Sequence, residues 1–169
     1  MAIPEERRII GFPETVNEVA ARLVAGGVLL MSLTALVLRQ HWLLIPLAYG
    51  FWARVLTGPR LSPLAQLVTR VVVPRLHVAP RIVPGPPKRF AQAIGAACTT
   101  IALVAYFGFG LTGVADVILG MMVVFATLES VFALCVGCRI FAGLMRIGVI
   151  PAEICEACND LNLRQRVSA

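Results

Sequence analysis

The sequence predicts an all-α integral membrane protein: a four-helix transmembrane bundle with an interfacial helix in the central cytoplasmic loop and a short C-terminal helix. Two observations carry that expectation. Of 169 residues, 59% are apolar and only 14% charged, with a mean hydropathy of +0.85; a soluble domain usually holds about 45–50% apolar and about 25% charged residues. A chain this short keeps much of its surface exposed however it folds, so the apolar excess cannot all enter a water-soluble core. The apolar residues are also gathered into four stretches almost free of charge, as in segments that cross lipid. This arithmetic argues against a soluble enzyme domain and excludes a disordered chain.

Residues 1–19 read as an N-terminal cytoplasmic segment. The apolar run begins only after both acids and bases, and no small-residue cleavage site follows it cleanly. No signal peptide is expected, and Leu23 onward stays in the mature protein. Residues 20–58 form the first transmembrane hairpin. Leu23 to Leu38 gives 16 residues between Arg22 and Arg39, and Gln40 to Ala53 gives 14, extendable to Gly58 if Arg54 snorkels its guanidinium to the interface. Both are short for a core of roughly 30 Å, so a re-entrant pair is the rival reading. Only Arg39-Gln40-His41 joins the two runs, which predicts a tight hairpin, and Pro46 predicts a kink in its second arm.

Residues 59–89 form a basic cytoplasmic loop. Ser62-Pro63 is an N-cap followed by a proline at the first helical position. Leu64, Leu67, Val68, Val71 and Val72 then recur at helical spacing until Pro74 ends the run, which predicts an interfacial helix. Val83-Pro84-Gly85-Pro86-Pro87-Lys88-Arg89 reads as a rigid extended connector, with its two bases at the headgroup level. Residues 90–148 form the second hairpin: Phe90 to Gly110 carries no charge and Val117 to Val136 only Glu129. Ala91, Gly95, Thr99 and Ala102 make a stripe of small residues for close helix packing, with Cys98 beside it as a small hydrophobe.

Charge sets the orientation. The N-terminal part, the central loop and the C-terminal part hold fourteen of the fifteen basic residues, and all three fall on one side of a four-span arrangement. The other side has Arg39, with Asp116 at its edge. The positive-inside rule then puts both termini in the cytoplasm. The net charge of +6 follows membrane flanks without interleaved aromatics, so it points to the lipid bilayer and not to nucleic acid. His41 and His77 are isolated and lie on opposite sides.

Chemistry is concentrated in four cysteines. Cys135-Val136-Gly137-Cys138 and Cys155-Glu156-Ala157-Cys158 are separated by sixteen residues, a spacing compatible with tetrathiolate zinc. Cysteines at i and i+3 share a helical face. If the first arm is helical to Ile147 and turns at Gly148 and Pro151, residues 149–169 fold back as a short helix and tail, bringing the pairs within reach. A break at Gly143 would improve that register. Three readings follow: a structural zinc held by Cys135, Cys138, Cys155 and Cys158; the same four as redox dithiols or sulfur carriers; and bystander thiols. Arg139 beside Cys138 favours a reactive thiolate. Glu129, one to two turns before Cys135, is expected to pair with Lys88 or Arg89, with proton handling beside the thiols as the alternative. The cytoplasm disfavours a permanent disulfide. No His follows either motif, which excludes a c-type haem. A transporter or channel finds no support beyond Glu129.

Gly58-Pro59-Arg60-Leu61-Ser62-Pro63, Pro84-Gly85-Pro86-Pro87-Lys88-Arg89-Phe90-Ala91-Gln92, and Cys135-x-Gly137-Cys138-Arg139-Ile140-Phe141 followed by Ile150-Pro151-x-Glu153-x-Cys155-x-x-Cys158 together resemble an uncharacterised bacterial membrane-protein family, catalogued as a domain of unknown function. The resemblance spans about residues 15 to 160 and implies a multi-pass bacterial inner-membrane protein. Through the thioredoxin-like or rhodanese-like genes near which members occur, it implies a soluble partner of that kind. It assigns no reaction. The sequence therefore points to a cytoplasm-facing paired CxxC site used in thiol redox or sulfur transfer, the alternative being a non-catalytic scaffold with structural zinc.

Overall fold

Asn17 decides where the first helix begins. Its Oδ1 accepts the Val19 N–H at 3.0 Å, which satisfies one of the free donors of a helix start, and Glu18 in the first turn suits the helix dipole. In the computed structural model, which describes residues 15–76, 78, 79 and 81–151, helix α1 then runs Glu18–Val37. Strand β1 (Thr15–Asn17), just before it, pairs antiparallel with β2 (Ile82–Pro84), Thr15 opposite Pro84 and Asn17 opposite Ile82. This ribbon of two three-residue strands is the one non-helical pairing among the described residues, whose other regular elements are all helical as expected. With the Arg81–Glu18 ion pair at 3.0 Å, it ties the start of α1 to the segment leading into α5 (Gly85–Phe109).

A 3₁₀ turn, His41–Leu43, leads into α2, Leu44–Thr57. Pro46 falls in the first turn of α2, where its missing N–H breaks no helical bond, so the expected kink is displaced to a helix start. The central loop is helical: α3 (Pro63–Leu67), a π-helical turn (Val68–Val72) and α4 (Val73–Leu76). Ser62 Oγ caps it by accepting from the Ala65 N–H at 3.4 Å. Pro74 does not end the run as its lack of an N–H suggests. The wider π turn just before it relieves the clash between the proline ring and the carbonyl four residues back. Ala65 and Val68 pack on Ala20 and Val24 of α1.

The expected extended connector at 83–89 is a correction too. After β2 the chain is helical from Gly85, with Pro86 and Pro87 in the first turn, where proline's fixed φ is already helical. Helix α6 spans Thr112–Ser130 and α7 Val136–Arg146. Among the described residues, α1, α5 and α6 are the three helices long and apolar enough to cross a membrane. Helix α2, at 14 residues, measures only about 21 Å.

Packing pairs elements across the sequence. Helix α1 lies mainly on α6, and α2 mainly on α5, while α5 also contacts α6 and α7. The two arms of the expected tight hairpin thus scarcely touch, because each finds a better partner in the second half of the chain. Gly95 makes one of these contacts possible: a Cβ there would sit 2.3 Å from Phe51 Cε1. Thr99 and Ala102 continue the same buried face. The outward faces are apolar at three- and four-residue spacings, with Leu30, Leu33 and Val37 on α1 and Val117, Met121 and Val124 on α6 exposed. A helix facing water shows the opposite pattern.

His41 is not isolated. It is 5% exposed, with Nε2 2.7 Å from Asp116 Oδ1 and Nδ1 3.2 Å from the Arg39 carbonyl. Tyr106 stacks on it with ring centroids 4.5 Å apart, and Arg39 pairs with the same carboxylate. The cluster locks the α1–α2 joint to the start of α6. His77 lies outside the described residues.

Candidate functional site

Helix α6 stops five residues before the first cysteine pair. Ala133 adopts a left-handed backbone, φ 56°, and the Leu134 N–H returns to the Leu128 carbonyl at 2.9 Å. Arg22 of α1 donates to the Ser130 carbonyl at 3.1 and 3.3 Å and to Val131 at 3.2 Å, satisfying carbonyls that a helix end leaves open. The break therefore precedes Cys135, and the expected continuous helical arm from the last span through Cys138 to Ile147 does not form. Helix α7 passes through Gly143 unbroken and ends before Gly148, φ 76°.

This break puts Cys135 at the N-cap of α7. Its Sγ accepts the Cys138 N–H at 3.4 Å, the place where Ser or Asp usually serves. Gly137 sets how close the motif comes to α5: a Cβ at that position would lie 2.5 Å from Ala91 Cβ. Gly137→Ala should therefore push α7 from α5 and destabilise the chain by about 1–3 kcal/mol, seen as a lowered thermal midpoint in detergent. An unchanged midpoint would mean that α7 is not held against Ala91.

The two thiols are unequal. A hydrogen bond from the Cys138 thiol holds Cys135 below the ordinary thiol range; burial and Glu129 oppose this, while Lys88 and the Cys138 backbone N–H assist it. The same hydrogen bond, then burial, pushes Cys138 far up. The shared proton therefore belongs to Cys138, and Cys135 is the thiolate-forming member. The cation acting on the pair is Lys88, not Arg139, whose side chain is exposed. Lys88 Nζ donates to Glu129 Oε1 at 2.6 Å, as the sequence suggested for Lys88 or Arg89; Arg89 instead donates to the Val55 carbonyl at 3.2 Å.

Cys135 and Glu129 line a partly open cavity of about 120 Å³ between α1, α2, α5, α6 and α7, with Arg54, Gln92 and Cys98 also on its wall. Arg54 does not snorkel. It is 6% exposed, donates through Nε to Gln92 Oε1 at 2.8 Å and through Nη1 to Ser62 Oγ at 3.3 Å, and stacks on Phe51 with Cζ 4.5 Å from the ring centroid. These partners keep the guanidinium inside. The i, i+4, i+7 spacing of Leu47, Phe51 and Arg54 already places Arg54 on the buried face of α2. Neither Gln92 nor Arg22 gave a comparable signal.

Cys155 and Cys158 lie outside the described residues, so the expected four-thiol site and the C-terminal helix after Pro151 are not described. A family model described as a domain of unknown function, DUF4395, matches residues 16–146. No curated protein and no solved structure matches the chain significantly.

Proposed function

We propose that this chain, which belongs to the DUF4395 family of unknown function, is a bacterial inner-membrane protein that performs thiol redox exchange or sulfur transfer with a soluble thioredoxin-like or rhodanese-like partner. In this reading α2, extended by its 3₁₀ turn, is a fourth and thinner span, and α3 to α4 lies along the cytoplasmic leaflet. The apolar outward stripes and the one-sided placement of fourteen basic residues support that arrangement. Both termini then face the cytoplasm.

The observation that carries the function is Cys135 at the N-cap of α7 with its sulfur accepting the Cys138 N–H. A helix start favours a thiolate, and the protonated neighbour is placed to follow it. Cys135 attacks a partner disulfide, forming a mixed disulfide and releasing one partner thiolate. Cys138 loses its proton and attacks Cys135 Sγ, closing the Cys135–Cys138 disulfide and releasing the second partner thiol. The exchange runs in either direction, and a persulfide partner hands over its outer sulfur by the same attack. Cys155 and Cys158, which lie outside the described residues, are the second dithiol of this reading by their sequence spacing alone.

Alkylation of Cys135 followed against pH tests this. Its midpoint should fall below the ordinary thiol value of about 8.5, because a lowered pKa leaves more thiolate at neutral pH. One zinc per purified chain with four unreactive thiols would overturn the redox reading in favour of a zinc-stabilised scaffold.

A further inference from the structure

We infer that the cavity beside Cys135 admits a small neutral hydroperoxide, which oxidises the Cys135–Cys138 pair and makes the chain a thiol peroxidase. This inference rests on the exchange function proposed above and names a second substrate of the same site. Charge is the first guide to the occupant. Glu129 shares the cavity wall with Arg54 and acts on its charge, and it also pairs with Lys88 at 2.6 Å. Two cations, Lys88 and Arg54, thus stand against two anions, Glu129 and the Cys135 thiolate. A balanced wall does not repay the desolvation of a charged ligand, so it suits a neutral one.

Hydrogen-bonding capacity is the second guide. Arg54 commits Nε to Gln92 Oε1 and Nη1 to Ser62 Oγ. Arg54 Nη2 and Gln92 Nε2 are left without an acceptor among the described residues. Lys88 takes Oε1 of Glu129 and leaves Oε2 as a spare acceptor. Two donors and one acceptor match a molecule of two oxygens, one of which carries a hydrogen. Size is the third guide. A cavity of about 120 Å³ is roughly four times the 30 Å³ that a water takes in the liquid and less than the space that accepts benzene. Hydrogen peroxide or a short alkyl hydroperoxide fits, and a ring-bearing one does not.

The chemistry balances with the groups named. The Cys135 thiolate attacks the terminal oxygen, an S–O bond forms and the O–O bond breaks. Arg54 Nη2 and Gln92 Nε2 donate to the leaving oxygen as its charge grows. The proton that Cys135 lost on ionising returns through solvent to complete water or alcohol. The Cys138 thiol then condenses with the Cys135 sulfenic acid, which forms the disulfide and releases water. Two electrons have passed from the two sulfurs to the O–O bond. The soluble dithiol partner reduces the disulfide and resets the site.

The test mixes the reduced full chain, in detergent and without oxygen, with hydrogen peroxide, and follows peroxide loss together with the disulfide mapped by mass spectrometry. In the difference between wild type and Cys135→Ser, one peroxide should be consumed for each Cys135–Cys138 disulfide formed. The rate should exceed that of free cysteine at the same pH by about a hundredfold or more. Ethyl hydroperoxide should keep that advantage, and cumene hydroperoxide should lose it because its ring exceeds the cavity. Gln92→Met keeps the side chain's length and removes a donor; it should slow peroxide consumption at least about tenfold while sparing exchange with a soluble aromatic disulfide. Ala126→Leu, which narrows the cavity from α6, should do the same and covers the case in which Gln92→Met fails to fold. A wild type that exchanges with the soluble disulfide but consumes peroxide no faster than free cysteine overturns the inference and leaves the exchange reading intact. Folded variants with unchanged peroxide rates, or cumene hydroperoxide consumed as fast as hydrogen peroxide, overturn it equally. A wild type that forms no Cys135–Cys138 disulfide with either oxidant overturns the exchange reading itself.

Discussion

Cys138→Ser should accumulate as a mixed disulfide between Cys135 and a soluble protein supplied in its disulfide form, whereas Cys135→Ser should lose exchange altogether. The asymmetry follows from the N-cap. Cys135 Sγ accepts the Cys138 N–H and sits at the positive end of α7, and the hydrogen bond from Cys138 lowers its pKa while raising that of the donor. In the proposed exchange Cys135 is therefore the attacking sulfur and Cys138 the resolving one. A neighbour held in place acts at an effective concentration far above that of any free thiol. Replacing it with millimolar external thiol should lengthen the life of the mixed species by more than about a hundredfold. The measurement is a non-reducing gel with mass spectrometry, in a chain where Cys98, Cys155 and Cys158 are replaced. Equal trapping by both variants would show that the two thiols are interchangeable and that the N-cap has no part in their order.

Lys88→Met should be the most damaging single change to stability, costing about 3–5 kcal/mol. Lys88 and Glu129 side chains are only 11% and 18% exposed and meet at 2.6 Å. The antiparallel packing of α5 and α6 brings the start of one helix against the end of the other, and there each charge sits at the unfavourable end of its own helix. Their attraction offsets this, and removing one partner strands the other. The double variant Lys88→Met/Glu129→Leu should recover most of the loss, since a well-packed apolar pair often replaces a buried ion pair at little cost. Thermal midpoints of the three proteins in detergent decide this. Full stability of Lys88→Met would mean that water reaches the pair. The same single variant should alkylate more slowly at Cys135, because Lys88 is a cation that favours the thiolate and Glu129 opposes it.

Much of the helical content was legible because it depends on local chemistry. Apolar runs marked α1, α5 and α6, Ser62-Pro63 marked the start of α3, and the small residues of α5 marked its packing face. Proline was the weakest guide. Pro46, Pro74, Pro86 and Pro87 each suggest a kink, a stop or an extended stretch, yet each lies within a helix. What proline does depends on whether the carbonyl it would have bonded is already beyond the helix start, and that is set by neighbours far along the chain. The site was half legible. The Cys135-x-x-Cys138 spacing and the Lys88–Glu129 pair could be read from residues alone, but a helix that breaks before Cys135 could not, since Val131 to Leu134 continue the apolar run without a glycine or proline.

By itself, the sequence determined that this chain carries more apolar surface than a water-soluble core can hide, that its basic residues gather in the segments flanking the apolar runs, and that it holds two Cys-x-x-Cys pairs. These follow from composition and spacing, which need no knowledge of contacts. Only the tertiary structure decided that α1 and α2 part to pack on α6 and α5, that Arg54 turns inward to Gln92 and Ser62, and that Arg22 closes α6 so Cys135 can start α7. The hydrogen bonds among these join residues at least eight and as many as 109 positions apart. Such partners are chosen by fit between surfaces, and a linear pattern does not carry that information.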